Sequence, residues 1–315
     1  MNETERTGIE RFSFPSRDGT STLAAYRVLP KESPVAMVQI SHGMCEYFLR
    51  YEGFAAFLAE RGILVFGHDH LGHGNSAPTP SELGFTVPGG GADCLVGDVI
   101  ALGEQLKKEY PHLPLILFGH SMGSFIAREA LALKDSLWSA AVICGTGGPE
   151  TPAAAGKLLA SLIIKLRGER HRSKLLKSIA FAGYNKRFEK NCDPNAWLTR
   201  DPSVVEAYNA DPFCTYTFTT RAYHDLFTLV DRVSKKNWAG RLNKEIPLLV
   251  ISGEEDPVGG FGKGVRSVFD RIQSAKIKDA TLILYPGMRH EILNELGSQQ
   301  VWEEIAQWME KKYRS

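Results

Sequence analysis

The sequence lacks the features that mark secreted, membrane-spanning and nucleic-acid-binding proteins. Its 315 residues include five cysteines, none closely spaced, so neither a disulfide framework nor a zinc site is predicted. The net charge is only +1, which gives no argument for nucleic acid as a partner. No window approaches the roughly 18 apolar residues of a membrane span, and the polar segment 1–11 lacks the apolar core of a signal peptide. We therefore expect a cytoplasmic protein that binds no nucleic acid.

Short apolar runs alternate with segments of helical periodicity over most of the chain, whose hydrophobic content of 43% can fill a large core. Such alternation favours an α/β fold, a mostly parallel eight-stranded sheet flanked by helices. The predicted strands are Ile9–Phe14, Thr22–Val28, Val35–Ile40, Ile63–Gly67, Pro114–Gly119, Ala140–Cys144, Leu248–Ser252 and Ala280–Tyr285.

Three predicted helices carry signals for their faces or their ends. Gly62 is expected to end the helix 51–61 in the left-handed conformation, and Ser298 is expected to cap the last helix. One apolar face is predicted for the segment 93–110, formed by Leu95, Val99, Leu102 and Leu106. The inward face of the last helix is predicted to consist of Val301, Ile305 and either Trp308 or Met309.

The alternation stops between residues 149 and 243, where helical and loop signals occur without a buried strand. We interpret this stretch, 149–243, as an inserted helical cap, or lid, that divides an α/β core into the parts 1–148 and 244–315. Ligands bind at the carboxyl ends of the strands in such sheets. An insertion that begins at this edge is therefore expected to cover the functional site.

The segment Gly119–Gly123 reads Gly-His-Ser-Met-Gly between a predicted strand and a predicted helix. This is the Gly-x-Ser-x-Gly pattern of a nucleophile elbow, in which a strained turn exposes a serine and its neighbours must be small. Ser121 is the candidate nucleophile. The pattern by itself also fits a glycine-rich turn with an inert serine, so its partners decide between the two interpretations.

A serine becomes a nucleophile when a histidine accepts its proton and an acid orients that histidine. In folds with this elbow the partners follow in the order serine, acid, histidine, each after a strand. Asp256 and His290 follow the seventh and eighth predicted strands. Glu254 and Glu255 are alternative acids, but Asp256 is favoured because Pro257 fixes its loop and its shorter side chain suits a rigid turn.

Acyl transfer also requires N–H donors for the negative oxygen that forms during attack. The backbone N–H of Met122, directly after the serine, is one candidate, and that of Met44, after the third strand, is the other. Gly43 allows the backbone to approach the substrate closely. Gly43 and His120, which directly precedes Ser121, are expected to line the substrate site. This chemistry requires no cofactor and no metal.

Three histidines, His68, His70 and His73, surround Asp69 and raise the alternative of a metal centre. The metal-binding pattern His-x-His-x-Asp-His would need an acid where Gly72 stands, and a zinc site wants further ligands on later strands. None presents itself. We expect a structural loop beneath the turn that contains Gly43.

Five motifs resemble those of the α/β-hydrolase superfamily, and within it the group of monoacylglycerol lipases, lysophospholipases and serine aminopeptidases. The resemblance implies a serine hydrolase that cleaves carboxylic esters of lipid-like or apolar substrates through an acyl-enzyme. One departure is Leu71, which stands where the group often has arginine. The motifs are 42–44, 69–76, 119–123, 253–257 and 287–291.

Two other functions stay open at this stage, an aminopeptidase or amidase of the same fold and a non-enzymatic ligand-binding protein. The cap bears on the substrate, because the segment 156–190 carries ten Lys and Arg residues against Glu169 and Glu189 alone. These charges, interleaved with apolar residues, fit either a solvated helix face over a packed core or a surface that contacts an anionic membrane or an anionic substrate.

Overall fold

The computed structural model describes residues 8–134, 136–148, 153–190 and 192–314. Within them, the eight predicted strands form one sheet in the order β1-β2-β4-β3-β5-β6-β7-β8. β2 runs antiparallel to β1 and β4, and all other neighbours are parallel, which confirms the predicted architecture. The strands are β1 (Ile9–Pro15), β2 (Thr22–Val28), β3 (Ala36–Ser41), β4 (Ile63–His68), β5 (Leu115–His120), β6 (Ala140–Cys144), β7 (Leu248–Gly253) and β8 (Ala280–Tyr285).

The central strands β3 to β7 are buried along their whole length, as expected for parallel strands with both faces covered. Ser41 at the end of β3 pairs with Gly119 in β5, and His120 at the end of β5 pairs with Cys144 in β6. This register brings the carboxyl ends of the three strands side by side. The segments that follow β3 and β5 therefore begin next to each other.

In the described parts of the chain outside the interval between β6 and β7, five α-helices cover the two faces of the sheet. The helices α2, α3 and α8 contribute buried residues to one hydrophobic core, and α1 and α9 contribute to the other. These helices are α1 (Glu52–Ala59), α2 (Ala92–Glu109), α3 (Met122–Leu133), α8 (Lys263–Ser274) and α9 (Ser298–Tyr313). The predicted apolar faces of α2 and α9 are buried, including both Trp308 and Met309.

Two helix ends test the predicted signals. Gly62 has a φ of +79°, and its N–H donates to the Ala59 carbonyl oxygen at 3.0 Å, which confirms the left-handed stop after α1. The prediction that Ser298 caps α9 is wrong. Gly297 occupies the capping position with a φ of +86°, and no side chain caps the helix, so Ser298 is already its first helical residue.

Among the described residues between β6 and β7 there are four α-helices: α4 (Ala153–Arg167), α5 (Lys174–Ala180), α6 (Pro202–Ala210) and α7 (Thr220–Val233). The described residues of this interval contain no strand, and we call residues 153–190 and 192–243 the cap. The predicted start of the cap at residue 149 lies outside the described residues. Asp225 of α7 connects the cap to the core because its carboxylate accepts hydrogen bonds from the Thr86 hydroxyl (2.5 Å) and the Gly91 N–H (2.9 Å).

No helix in the described parts of the chain combines the length and the apolarity needed to cross a membrane.

Candidate active site

Ser121 stands directly after β5 in a strained backbone conformation, with φ +52° and ψ −120°. Such angles are rare outside glycine and persist where the surrounding structure enforces them. The neighbouring glycines provide the space. A Cβ on Gly119 would lie 2.5 Å from the Gly123 carbonyl oxygen, and one on Gly123 would lie 2.0 Å from that of Ser41. This geometry is that of the predicted nucleophile elbow.

The turn is held by hydrogen bonds on both sides of the serine. The Ser121 N–H donates to the Cys144 carbonyl oxygen of β6 at 3.0 Å. The Ser121 carbonyl oxygen accepts from the Ser124 N–H (2.9 Å) and from the Ser124 hydroxyl (2.6 Å). The helix α3 begins at Met122, directly after the serine.

His290 and Asp256 form a buried pair. His290 Nδ1 lies 2.9 Å from Asp256 Oδ1, and the two residues are 2% and 0% exposed. Asp256 also accepts hydrogen bonds from the Ser252 hydroxyl and from the Val258 N–H, both at 2.8 Å. These bonds fix the carboxylate behind the imidazole.

The alternative acids are placed differently. The Glu254 side chain is 43% exposed and lies 4.0 Å from Arg266, and Glu255 is half-buried. Among the described residues, Asp256 is the one of the three candidates that the structure pairs with His290. The geometry therefore favours the acid expected from the sequence.

His290 and Asp256 each shift the pKa of the other. Burial disfavours a charged imidazole, but the attraction and the hydrogen bond of Asp256 outweigh it and raise the pKa of His290. Burial likewise opposes the charged carboxylate, yet His290 and the hydrogen bonds from Ser252 and Val258 lower the pKa of Asp256. An ionised carboxylate only accepts, so it assigns the imidazole proton to Nδ1 and leaves Nε2 unprotonated in the neutral ring.

Aromatic rings and one glycine orient His290. The ring of His120 lies 4.7 Å from that of His290, and the ring of Trp197, from the cap, lies 5.0 Å from it. Burial lowers the pKa of His120 to about 3, so this neighbour is neutral. A Cβ on Gly145 would lie 3.1 Å from both histidine rings, and the absence of that atom leaves room for them.

A cavity of about 620 Å³ opens at these residues and is enclosed in part by the cap. Six of the seven residues selected from the sequence line it, namely Gly43, Met44, His120, Ser121, Met122 and His290. The seventh, Asp256, lies behind His290. Apolar side chains form much of the wall, among them Phe125, Leu226, Phe227, Val230 and Val258.

The turn after β3 approaches the serine closely. A Cβ on Gly43 would lie 3.0 Å from Ser121 Cβ, so a larger residue would intrude on the serine. Met122 is the first residue of α3, where an N–H has no carbonyl partner one turn earlier in the helix. Both N–H groups predicted from the sequence, those of Met44 and Met122, thus belong to residues on the cavity wall beside Ser121.

The histidine-rich loop after β4 packs against that same turn. The His70 N–H donates to His42 Nε2 at 2.9 Å, and Asp69 accepts the N–H groups of Phe48 (2.9 Å) and Asn75 (2.8 Å). Burial lowers the pKa of each histidine in this cluster, so all are neutral: His42, His68, His70 and His73. No group of three or more His, Cys, Asp or Glu within the described residues is placed to hold a metal ion.

One buried cluster of charged residues was not predicted from the sequence. Arg50 donates two hydrogen bonds to Glu291, at 2.6 and 2.8 Å, and one to Glu46 at 3.2 Å. Burial and the negative charge of Glu291 raise the pKa of Glu46 to about 7, whereas Arg50 overcomes burial and lowers the pKa of Glu291 to about 2. The available signals were the i, i+4 spacing of Glu46 and Arg50 and the position of Glu291 directly after His290.

The sequence profile of the family described as serine aminopeptidase, S33, matches residues 32–297 of this chain. The chain belongs to this family. A monoacylglycerol lipase of Mycolicibacterium smegmatis is 30% identical over 284 residues, which cover 89% of this chain and 90% of the relative. The human monoglyceride lipase is 29% identical over 290 residues, which cover 90% of this chain and 85% of the relative.

The similarity extends to a solved structure of this family's fold. The crystal structure of a thermostable carboxyl esterase from Bacillus coagulans superimposes with a TM-score of 0.91 at 28% sequence identity, covering 97% of this chain and 99% of the esterase. Together with the sheet order, this confirms the α/β-hydrolase fold expected from the five motifs. The family description names an aminopeptidase, which cleaves amide bonds, whereas the relatives are lipases and an esterase, which cleave ester bonds. The residues of the site have to decide between the two bonds.

Proposed function

We propose that this chain is a serine hydrolase that cleaves carboxylic esters of lipid-like or apolar substrates. The observation that carries the proposal is a strained Ser121 on the wall of a partly apolar cavity, together with the buried His290–Asp256 pair. The relatives that are lipases and esterases support the ester as the bond that is cleaved. A cavity of about 620 Å³ lies within the range that holds small organic ligands, roughly 300–1,000 Å³.

In the proposed mechanism, Ser121 attacks the ester carbonyl while His290 Nε2 takes its proton. Asp256 keeps His290 in the required tautomer and stabilises the imidazolium that forms. The N–H groups of Met44 and Met122 bind the developing oxyanion. His290 then returns the proton to the leaving alcohol, and a water activated by the same imidazole releases the acid from Ser121.

The family description makes an aminopeptidase the second candidate. Such an enzyme must hold the free ammonium of its substrate, which calls for a carboxylate whose charge is not already matched. Within the described residues, Glu46 and Glu291 are the carboxylates on the cavity wall. Arg50 binds both, and although it carries one charge for two acids, burial raises the pKa of Glu46 and so weakens its negative charge. We therefore rank ester hydrolysis above peptide hydrolysis. A purely ligand-binding role ranks lower still, because Ser121, His290 and Asp256 are all present and His290 is hydrogen-bonded to Asp256.

A substrate panel distinguishes these candidates. We expect hydrolysis of p-nitrophenyl esters, monoacylglycerols and lysophospholipids of graded chain length, and little or no release of product from aminoacyl amides of matched size. Turnover of the amides with kcat/KM above that of every ester would overturn the ester assignment. Saturable binding of the esters without turnover would instead support the ligand-binding alternative.

We further propose that the cap touches an anionic lipid surface. Leu158, Leu162 and Leu166 recur every fourth residue on α4 and are 64%, 49% and 81% exposed. Exposed apolar side chains flanked by cations suit the boundary between lipid headgroups and acyl chains. The flanking cations are Lys157, Lys165, Arg167 and Lys174.

Not every cation of segment 156–190 is available for this role. Arg170 forms an ion pair with Glu82 at 2.6 Å, and Arg172 donates to the Leu83 carbonyl oxygen at 2.8 Å. These arginines bind the cap to the core, which is the structural role that the sequence left open for part of the segment. The lipid-contacting role belongs to the cations along α4 and at the start of α5.

Vesicle binding tests the proposed contact. We expect the triple substitution Leu158→Ser, Leu162→Ser and Leu166→Ser to weaken binding to vesicles with anionic headgroups at least several-fold, while hydrolysis of a water-soluble ester stays near that of the unmodified protein. Leu133→Ser is the control, because Leu133 is 56% exposed on α3 and lies outside the segment 156–190. Equal binding by the triple variant and this control contradicts the proposal.

The cytoplasm is the proposed location. All five cysteines are free, and three of them are buried, so no disulfide contributes to the fold. This suits a reducing compartment. Cell fractionation tests the assignment. Recovery of the protein in the soluble or membrane-bound fraction of the cell fits it, and recovery from the secreted fraction contradicts it.

A further inference from the structure

A buried ionic cluster lies between the proposed oxyanion turn and the proposed catalytic histidine. We call Glu46, Arg50, Tyr51 and Glu291 the Arg50 cluster. Glu46 and Glu291 are each 4% exposed, and the two acids share the one guanidinium. The Tyr51 hydroxyl donates to Glu46 Oε1 at 2.8 Å. A charge that is removed from water destabilises the fold unless it is paired and hydrogen-bonded. The charges of the Arg50 cluster meet both conditions.

One end of the cluster holds the turn after β3. Glu46 Oε1 accepts the hydrogen bond of the Gly43 N–H, and a Cβ on Gly43 would lie 2.5 Å from that same oxygen. The bond occupies the Gly43 N–H and fixes the start of the peptide that leads to Met44. An N–H donor stabilises an oxyanion only when it is aimed in advance at the place where the charge develops.

The other end holds the loop of the histidine. Glu291 follows His290 directly, and its N–H donates to the Leu198 carbonyl oxygen at 2.7 Å. Its carboxylate receives both hydrogen bonds from Arg50 and a third from the Asn294 side chain at 3.0 Å. Arg50 thus ties the turn that contains Gly43 to the loop that contains His290.

We propose that Glu46 is a positioning residue, which aims the Met44 N–H at the oxyanion by accepting the Gly43 N–H, and that Arg50 couples this turn to the His290 loop. The inference rests on the proposed function, since it assigns a role within the same reaction. It requires an acceptor oxygen at the position of Glu46 Oε1 and no contact between Glu46 and the reacting atoms.

Three substitutions separate the acceptor from the charge. Glu46→Gln keeps an acceptor oxygen of the same reach, so we expect kcat within about threefold of the unmodified protein. Glu46→Ala removes the acceptor. We expect kcat to fall about 10- to 100-fold with little change in KM, because the loss of a whole oxyanion donor costs about 10²–10³. Glu46→Asp keeps a charge for Arg50 but is one methylene shorter, and carries the same test where Glu46→Ala does not fold.

The control must lose a buried carboxylate without touching the site. Asp98 is fully buried and accepts the Arg17 N–H at 2.6 Å and the Ser16 hydroxyl at 3.0 Å. Asp98→Ala therefore removes a comparable turn-stabilising carboxylate, remote from the cavity. We expect it to lower the melting temperature while kcat per labelled active site is retained.

A second readout isolates the oxyanion. Trifluoromethyl ketones add to a catalytic serine and place a charged oxygen where the transition state has one. We expect Glu46→Ala to weaken their inhibition by about the same factor as kcat, and to leave inhibition by the product fatty acid unchanged. Unchanged kcat in Glu46→Ala and Glu46→Asp, or an equal loss in Glu46→Gln, overturns the positioning role. Absence of Ser121-dependent hydrolysis in the unmodified protein would instead refute the proposed function.

Discussion

The hydrogen bond between His290 and Asp256 decides the protonation state on which the proposed reaction depends. Its partners are almost fully buried, and Asp256 raises the pKa of His290 above its usual value of about 6.5. The base needs an unprotonated Nε2. Activity is therefore present above the raised pKa of His290 and is lost as the pH falls through it.

Asp256→Asn tests this linkage. Without the negative charge, the pKa of His290 should fall, and the acid limb of kcat/KM should move to lower pH. The amide also removes the acceptor that holds the imidazole tautomer, so kcat should drop by roughly 10⁴-fold. A pH–rate profile of the variant beside the unmodified protein provides the measurement. Glu254→Gln is the matched control, because Glu254 is partly exposed and not paired with His290; an equal loss in that variant contradicts the assignment.

The strained turn at Ser121 and the pair of Asp256 and His290 were predictable, because a tight turn between glycines and the ends of strands leave a local pattern in the sequence. A Cβ on Gly119 or Gly123 would lie within 2.5 Å of a backbone atom. Only glycine fits at these two positions, and the sequence shows that requirement directly. The Arg50 cluster was missed for the opposite reason. Arg50 and Glu291 are 241 positions apart, and only the folded chain brings them together.

Among the helices and strands, the ends of elements were harder to predict than their faces. The buried faces of α2 and α9 follow from the spacing of apolar residues and were predicted correctly. The capping residue at the N-terminus of α9 was not predicted correctly. A serine before an apolar run predicts an N-cap, but Gly297 reaches the left-handed conformation at this position and moves the start of the helix by one residue.

The start of α9 gives a paired prediction. Ala in place of Gly297 must adopt a φ near +86°, a conformation that costs an L-residue about 1–2 kcal/mol. Gly297→Ala should therefore reduce the free energy of unfolding by about 1 kcal/mol or more. Ser298→Ala should change it by less than about 0.5 kcal/mol, since the serine caps nothing. Urea denaturation of the two variants measures both values, and a larger loss in Ser298→Ala would restore the serine as the cap.

For the molecule as a whole, alternation of strands and helices predicted the sheet, and the interruption predicted an insertion between β6 and β7. The contacts between that insertion and the core could not be predicted from the sequence. Trp197 of the cap lies 5.0 Å from the ring of His290, and Arg172 reaches core carbonyl groups. Such contacts depend on tertiary packing, which short-range patterns do not encode.

In the proposed reaction, Ser121 is the nucleophile of an ester hydrolase. A fluorophosphonate probe labels an activated serine, and peptide mass spectrometry locates the label. We predict modification of Ser121 in the unmodified protein, and loss of both labelling and p-nitrophenyl ester hydrolysis in Ser121→Ala, with both retained in the control Ser161→Ala on α4. Labelling that persists at another serine in Ser121→Ala, or ester hydrolysis that survives the substitution, would contradict the assignment of Ser121 as the nucleophile.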